Sequence, residues 1–295
     1  MGADDQPRPW EKRPFEAAAK EIAEAAKSLA VDDGLSELTL LDERQFSIDE
    51  QGRITQRVRR VTRVLSQEAV EENSTVRSVW SPWHQERPEL TARVITPDGA
   101  EHRLQPQDIA EQPANQTANN VLDDRREVKA PLPAVKVGVV IEVQFVIREH
   151  KPLFAKGTVR RNYWPSSNTL CATLKIDSPA QQSVSVKVRG GAIEPRRSEQ
   201  AGRVILDFER RASADAQKSK IADEFEWLTP PDQPVWLEVQ FGTGKTWQEI
   251  ATAYSEIIER KLENAGVKPV ADQALAGAVS REEKVQKLLS KVHEF

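Results

Sequence analysis

The sequence predicts a mainly β protein, a large antiparallel β-sandwich with an N-terminal helix and C-terminal helices. Three observations carry this expectation. From Leu38 onward, β-branched and other apolar residues alternate with polar ones at a period of two. Turn signals separate the runs, among them DEQG at 49–52 and Asp98-Gly99. Almost no helical pattern falls between these runs before residue 212. A parallel crossover needs about a dozen residues or more, so antiparallel sheets packed face to face are the expected outcome.

In chain order, the first dozen residues are polar and proline-bearing and are expected to be disordered or draped on the surface. Phe15, Ala19, Ile22, Ala26 and Leu29 then recur at helical spacing behind Pro14, which predicts a helix over 14–30 that stops at Asp32-Asp33-Gly34. The runs 38–48 and 53–66 form one hairpin, and 90–97 and 100–106 form a second. Further strands are predicted at 74–81, 138–149, 154–164, 168–177, 183–190 and 203–211. Beyond 212 the chain turns polar and helix-prone and then proline-rich at TPPDQP, 229–234. One more strand, 235–241, precedes two helices opened by the capping pairs Thr246/Glu249 and Ser280/Glu283. The organisation expected is an N-terminal arm and helix over 1–35, a sandwich over 36–212, and a linker, strand and helices over 213–295.

The last helix carries Val285, Leu288, Leu289, Val292 and Phe295 on one stripe. An amphipathic helix that reaches the final residue without a cap or polar tail reads as an element cut from a longer chain. The competing reading docks that helix back on the sandwich.

Composition narrows the function. With 42 basic and 46 acidic residues the formal net charge is -4, so no global positive field favours nucleic acid. One cysteine, Cys171, excludes an internal disulfide and any site built on several thiolates, and four scattered histidines leave little for a metal. No cofactor and no metal are expected. No apolar stretch approaches the roughly 20 residues that span a bilayer, and the N-terminus lacks the apolar core of a signal peptide.

The segment VQFGTGKTW, 239–247, sits where a phosphate-binding loop would, between a strand and a helix. The Walker spacing needs glycine at the position of Val239, so the glycines instead suit a tight turn. In NTLCATLKI, alternation places Leu170, Ala172, Leu174 and Ile176 on the apolar face and Cys171 with Thr169, Thr173 and Lys175 on the other. A mid-strand thiol there has no helix dipole to activate it. Arg53, Arg57, Arg59, Arg60 and Arg63 crowd one strand. Arg57 and Arg59 on one face form a candidate anion site, although Asp42, Glu43 and Asp49 on the hairpin partner offer cross-strand pairing instead. Trp80, Trp83 and His84 lie within VWSPWHQERPE, where two indoles beside prolines would line a carbohydrate or peptide groove, or else fill a sandwich core.

Taken together, GRITQRVRRVTRVLSQEAVEE (52–72), SPWHQERPELTARVITPDGAEHRLQPQDI (81–109), DDRREVKAPLPAVKVGVVIEVQF (123–145) and VQFGTGKTWQEIATAYSEII (239–258) resemble the bacterial domain of unknown function that precedes a transglutaminase-like domain. The resemblance implies an antiparallel β-sandwich of unestablished role, followed by a papain-like core with a Cys-His-Asp constellation. The stripe ending at Phe295 looks like the early helix of that core. Neither Cys171 nor His293 corresponds to a catalytic position of the family. Members are commonly exported, which implies a periplasmic or extracellular location.

Three readings follow. The first is a non-catalytic N-terminal module of a transglutaminase-like protein, positioning the core or recruiting its protein substrate. The second is a free-standing sandwich that binds carbohydrate or peptide through Trp80 and Trp83. The third is a cysteine hydrolase that uses Cys171.

Overall fold

The structure is a computed structural model, and it describes residues 7–31, 34–114, 124–153, 159–163, 168–182, 184–190, 193–212, 237–243 and 246–294. The chain divides into two compact units. One comprises Met1–Leu153 and Thr158–Thr243, the other Phe154–Gly157 and Gly244–Phe295.

The first unit is mainly β, as alternation predicts. After α1 (Ala19–Lys27) come β1 (Glu37–Ile48), β2 (Ile54–Val64), α2 (Gln67–Asn73), β3 (Thr75–Trp80), β4 (Glu89–Ile95), β5 (Glu101–Arg103), β6 (Ala110–Pro113) and β7 (Arg126–Pro131). Then follow β8 (Val140–Arg148), β9 (Val159–Tyr163), β10 (Cys171–Pro179), β11 (Ser185–Arg189), β12 (Arg196–Gln200), β13 (Arg203–Arg211) and β14 (Glu238–Gly242). An eight-stranded sheet runs β12-β13-β10-β1-β2-β8-β4-β5, and two three-stranded sheets run β3-β7-β6 and β11-β14-β9. Both predicted hairpins form, β1 with β2 and β4 with β5.

The large sheet departs from the expected antiparallel pattern at one seam. Strand β10 pairs parallel to β1, with Asp42 opposite Ala172 and Phe46 opposite Ile176. Parallel neighbours need a long crossover. The excursion from β2 through β9 supplies it without a βαβ unit. Strands β6, β7 and β12 and helix α2 were not anticipated, because their short runs carry too few apolar residues to show a period.

Register sorts the side chains of the large sheet onto two faces. On one face Leu38, Leu41, Val61, Ile95, Val140 and Cys171 pack against Trp10, Ile22, Ala23 and Ala26 of the N-terminal segment. Trp10 is 1% exposed, so the segment expected to be disordered or draped on the surface runs along the sheet and anchors one side chain in the core. Fully burying side chains of this size contributes about 1.5–3 kcal/mol each, enough to hold a short segment in place. The helix begins later than predicted, at Ala19, because Phe15 adopts φ 62° and breaks the turn that Pro14 would open.

The opposite face is covered twice. At one end Phe46, Ala172, Leu174, Ile176 and Phe208 pack against Val239 and Phe241 of β14. At the other Leu90, Ala92, Val94, Ile141 and Val143 pack against Ala69 of α2 and Val128, Ala130 and Leu132 of and after β7.

The second unit holds α3 (Trp247–Asn264), α4 (Val267–Leu275) and α5 (Arg281–Val292). Thr246 Oγ1 accepts from Glu249 N at 3.2 Å, and Ser280 and Glu283 form the reciprocal capping box. Helix α4 was not predicted as a separate element. Gly266, at φ 64°, separates it from α3 by a left-handed residue that glycine adopts without penalty. The proline-rich linker 229–234, Gly244-Lys245 and Phe295 lie outside the described residues.

Candidate ligand groove

The two small sheets cover opposite ends of one face of the large sheet, and strand β2 lies between them. Its residues Val58, Arg60 and Thr62, with Ile141, Val143 and Phe145 of β8, floor a groove of about 290 Å³. Asn73, Thr75, Val76, Arg77 and Leu132 form its wall. Register explains the floor: Val58, Arg60 and Thr62 oppose Phe145, Val143 and Ile141 directly, so all six side chains point the same way. The lining is mixed, with apolar side chains beside the cations Arg60 and Arg77, which is the composition of a site that binds a ligand with both characters.

Arg60 Nη2 donates to Asp42 Oδ2 at 3.1 Å, and Arg44 Nε donates to Asp42 Oδ1 at 2.8 Å. A single buried carboxylate thus serves two guanidinium groups. Arg77 lies directly opposite Lys129 across β3 and β7, and both are exposed. Among the described residues no carboxylate lines the groove.

The other face contains a buried charge cluster. Glu142 is 0% exposed and accepts from Arg59 Nε at 2.8 Å through one oxygen and from Arg93 Nε at 2.7 Å through the other. Phe15 N donates to Glu142 Oε1 at 3.0 Å, and Arg59 Nη1 donates to the Lys12 carbonyl at 2.8 Å. Arg93 Nη1 reaches Glu101 Oε2 at 2.8 Å and its guanidinium lies 5.6 Å from the Phe15 ring centre. At the far edge Arg211 forms a bidentate pair with Glu11 at 2.9 and 3.0 Å. The cluster joins the N-terminal segment to the sheet.

The residues singled out from sequence do not form one site. Arg59 is buried in the cluster just described, whereas Arg57 is exposed on the same strand. Arg53 pairs with Asp49 at 2.6 Å, and Arg59 approaches Glu43 at 3.5 Å, so cross-strand and turn pairing absorbs much of the arginine crowd. Trp80 is 4% exposed and belongs to the interior. Trp83 is half-buried, with the His84 ring at 4.4 Å and Lys151 Nζ at 5.4 Å from its centre. His84 is buried, its Nδ1 3.7 Å from Glu149 Oε1, while the other oxygen of Glu149 accepts from Ile54 N at 2.9 Å. The two indoles therefore do not present a shared flat surface.

Cys171 lies on the face that alternation assigns to it, opposite Ala172, Leu174 and Ile176, but that face is not solvated. Its side of β10 is covered by the N-terminal segment, so the thiol is 3% exposed. Burial pushes its pKa up to about 11 against the pull of Arg211, which leaves it protonated at neutral pH. Among the described residues no group of three His, Cys, Asp or Glu side chains is placed to hold a metal ion.

The fold and this groove define a β-rich module with a surface cleft. The family described as "Domain of Unknown Function with solved-structure structure (DUF3857)" matches residues 50–216, and the chain belongs to it. No curated protein matches the chain. Among solved structures, it resembles "a putative protease" from Parabacteroides distasonis ATCC 8503 at 12% identity and a TM-score of 0.65, covering 88% of this chain and 50% of that one. That likeness shows a shared fold, and the chain spans about half the length of the Parabacteroides protein. An M1 zinc metallopeptidase from Deinococcus radiodurans is similar at 13% identity and a TM-score of 0.33, over 70% of this chain and 42% of that one.

Proposed function

We propose that this chain is a non-catalytic module of a longer, exported transglutaminase-like protein, and that it positions the catalytic core and recruits that core's protein substrate. The observation that carries the reading is the apolar surface of the second unit. Tyr254, Ile258 and Leu262 recur every fourth residue on α3 and all are exposed. Val285, Leu289 and Val292, spaced four and then three residues apart, form a second exposed stripe on α5, at 51%, 54% and 67% exposure. Two helices that each leave an apolar stripe in water are built to be covered. The occupant proposed is the catalytic core that follows these helices, in keeping with a chain that spans half of a structurally similar protein. The protonated, buried Cys171 supports the view that catalysis resides elsewhere. Among the described residues no helix is long and apolar enough to cross a membrane.

The test compares this chain with the product of the full natural reading frame. The chain alone is expected to release no ammonia from glutamine peptides and to cleave no casein, whereas the longer product does one or the other. Leu289→Ser and Val292→Ser are expected to lower the activity of the longer product while leaving the melting of the isolated chain unchanged. Turnover by the isolated chain, or a natural reading frame that stops at Phe295, would overturn the reading.

A further inference from the structure

We propose that the groove beside β3 binds an extended peptide carrying a carboxylate next to an apolar side chain, with the peptide lying as an added strand along Thr75–Trp80. The inference names the kind of protein segment recruited and so rests on the recruiting role proposed above. Three features of the first unit converge on it.

The first is a free edge. Strand β3 ends its sheet and, among the described residues, pairs only with β7. An edge strand presents a row of backbone donors and acceptors that an extended peptide can extend by strand addition. The second is the floor. Val58, Ile141, Val143 and Phe145 lie below that edge, and about 290 Å³ is at the small end of ligand sites. That space suits one or two side chains projecting from a strand, and it is too small for a folded element.

The third is charge. Arg77 and Lys129 stand directly opposite each other across β3 and β7, an arrangement in which like charges oppose pairing. Among the described residues neither has a carboxylate partner. Arg60 contributes a third cation at the floor and must share Asp42 with Arg44. A carboxylate brought by a ligand would relieve the Arg77–Lys129 repulsion and meet the planar fork of an arginine. The residue beside that carboxylate on the added strand points to the other side of the small sheet, as Val76 does beside Arg77, so an apolar side chain there would enter the groove.

The test uses the chain as it stands and fluorescence anisotropy with two labelled peptides, one alternating valine with glutamate and one alternating valine with lysine. The glutamate peptide is expected to bind at least about tenfold more tightly than the lysine peptide, and less tightly as salt screens the contact. Arg77→Glu should weaken it by about tenfold or more, a loss of about 1.4 kcal/mol. Phe145→Glu, which places a like charge on the floor, should weaken it comparably, with melting curves confirming that both variants fold. Absence of peptide binding, equal affinity for the two peptides, or binding that both variants leave unchanged would overturn the proposal. So would binding of decanoate with no binding of peptide, which would make the groove a small-amphiphile site. None of these outcomes depends on a catalytic core, so the groove can fail while the module reading stands, and the reverse.

Discussion

Glu142 and Arg93 face each other directly across β8 and β4, joined through Arg93 Nε at 2.7 Å and Nη2 at 2.6 Å, and neither reaches solvent. With Arg59 on the neighbouring strand they form a buried Arg–Glu–Arg cluster, net positive within the interior. The surplus is met by Glu101, Glu43 and the Lys12 carbonyl. The N-terminal segment completes this network: Phe15, at φ 62°, turns its amide onto Glu142. A non-glycine residue in that region costs about 1–2 kcal/mol, which a hydrogen bond to a buried charge is strong enough to offset.

Removing the carboxylate charge should therefore be severe. Glu142→Gln leaves two buried guanidinium groups facing each other and is expected to destabilise the fold by about 3–5 kcal/mol in urea denaturation. The N-terminal segment should loosen at the same time, with trypsin cutting after the exposed Lys12 faster than in the parent chain. Replacing Arg59, Glu142 and Arg93 together by methionine or leucine should cost far less, because no unpaired charge remains. Equal losses for the single and triple changes would show that packing, not charge, sets the effect.

Gly99 illustrates a turn residue with a second constraint. It sits at φ 85° in the β4–β5 turn, and a Cβ there would lie 3.0 Å from Lys20 Cα in α1. Gly99→Ala meets both a left-handed backbone and a helix backbone that cannot step aside. A loss of about 2 kcal/mol or more is expected in thermal melts. Gly202→Ala, also left-handed at φ 74° but with nothing near its Cβ, should cost less.

Much of this was legible in the chain. Alternation located most long strands, and Asp98-Gly99 marked its hairpin, because a period of two and a positive φ leave local traces. The parallel β1–β10 seam left none, since partnership between distant strands depends on register and not on composition. The groove was missed for a related reason: Arg60 was visible as part of an arginine crowd, but Arg77 lies on another strand and Phe145 on a third. Glu142 did leave a signal, a lone carboxylate inside the apolar run VGVVIEVQF, where an unpaired charge would be untenable. Arg93 within LTARVIT is its counterpart. The alternation that assigned Cys171 to a polar face assumed that only one face of β10 was covered, and the N-terminal segment covers the other.

The two tryptophans should separate cleanly on substitution. Trp80 is interior, so Trp80→Ala is expected to cost about 3–5 kcal/mol. Trp83 is half-buried, with His84 and Lys151 against its ring, so Trp83→Ala should cost about 1 kcal/mol or less through lost ring and cation contacts. Denaturation curves measure both. Neither change should alter glycan-array binding. A glycan signal lost specifically in a folded Trp83→Ala protein would revive the carbohydrate reading.

Cys171 gives a stability effect whose sign follows from its burial. Desolvation raises the folded-state pKa to about 11, above the ordinary thiol value, with Arg211 only partly opposing the rise. Below the ordinary value both folded and unfolded chains hold the proton, and the thiol contributes no pH dependence. Between that value and about 11 the unfolded chain releases its proton and the folded one retains it, so the unfolded state binds fewer protons and stability falls as pH rises. The loss attributable to this group is about 2 kcal/mol by the top of that window. Cys171→Ala should shrink the alkaline decline by about that amount, measured by urea denaturation at intervals from neutral pH upward. In the parent chain, iodoacetamide should label the thiol far more slowly at neutral pH than it labels free cysteine. Rapid labelling of the folded protein would mean that the N-terminal segment opens readily, and would also restore Cys171 as a candidate nucleophile.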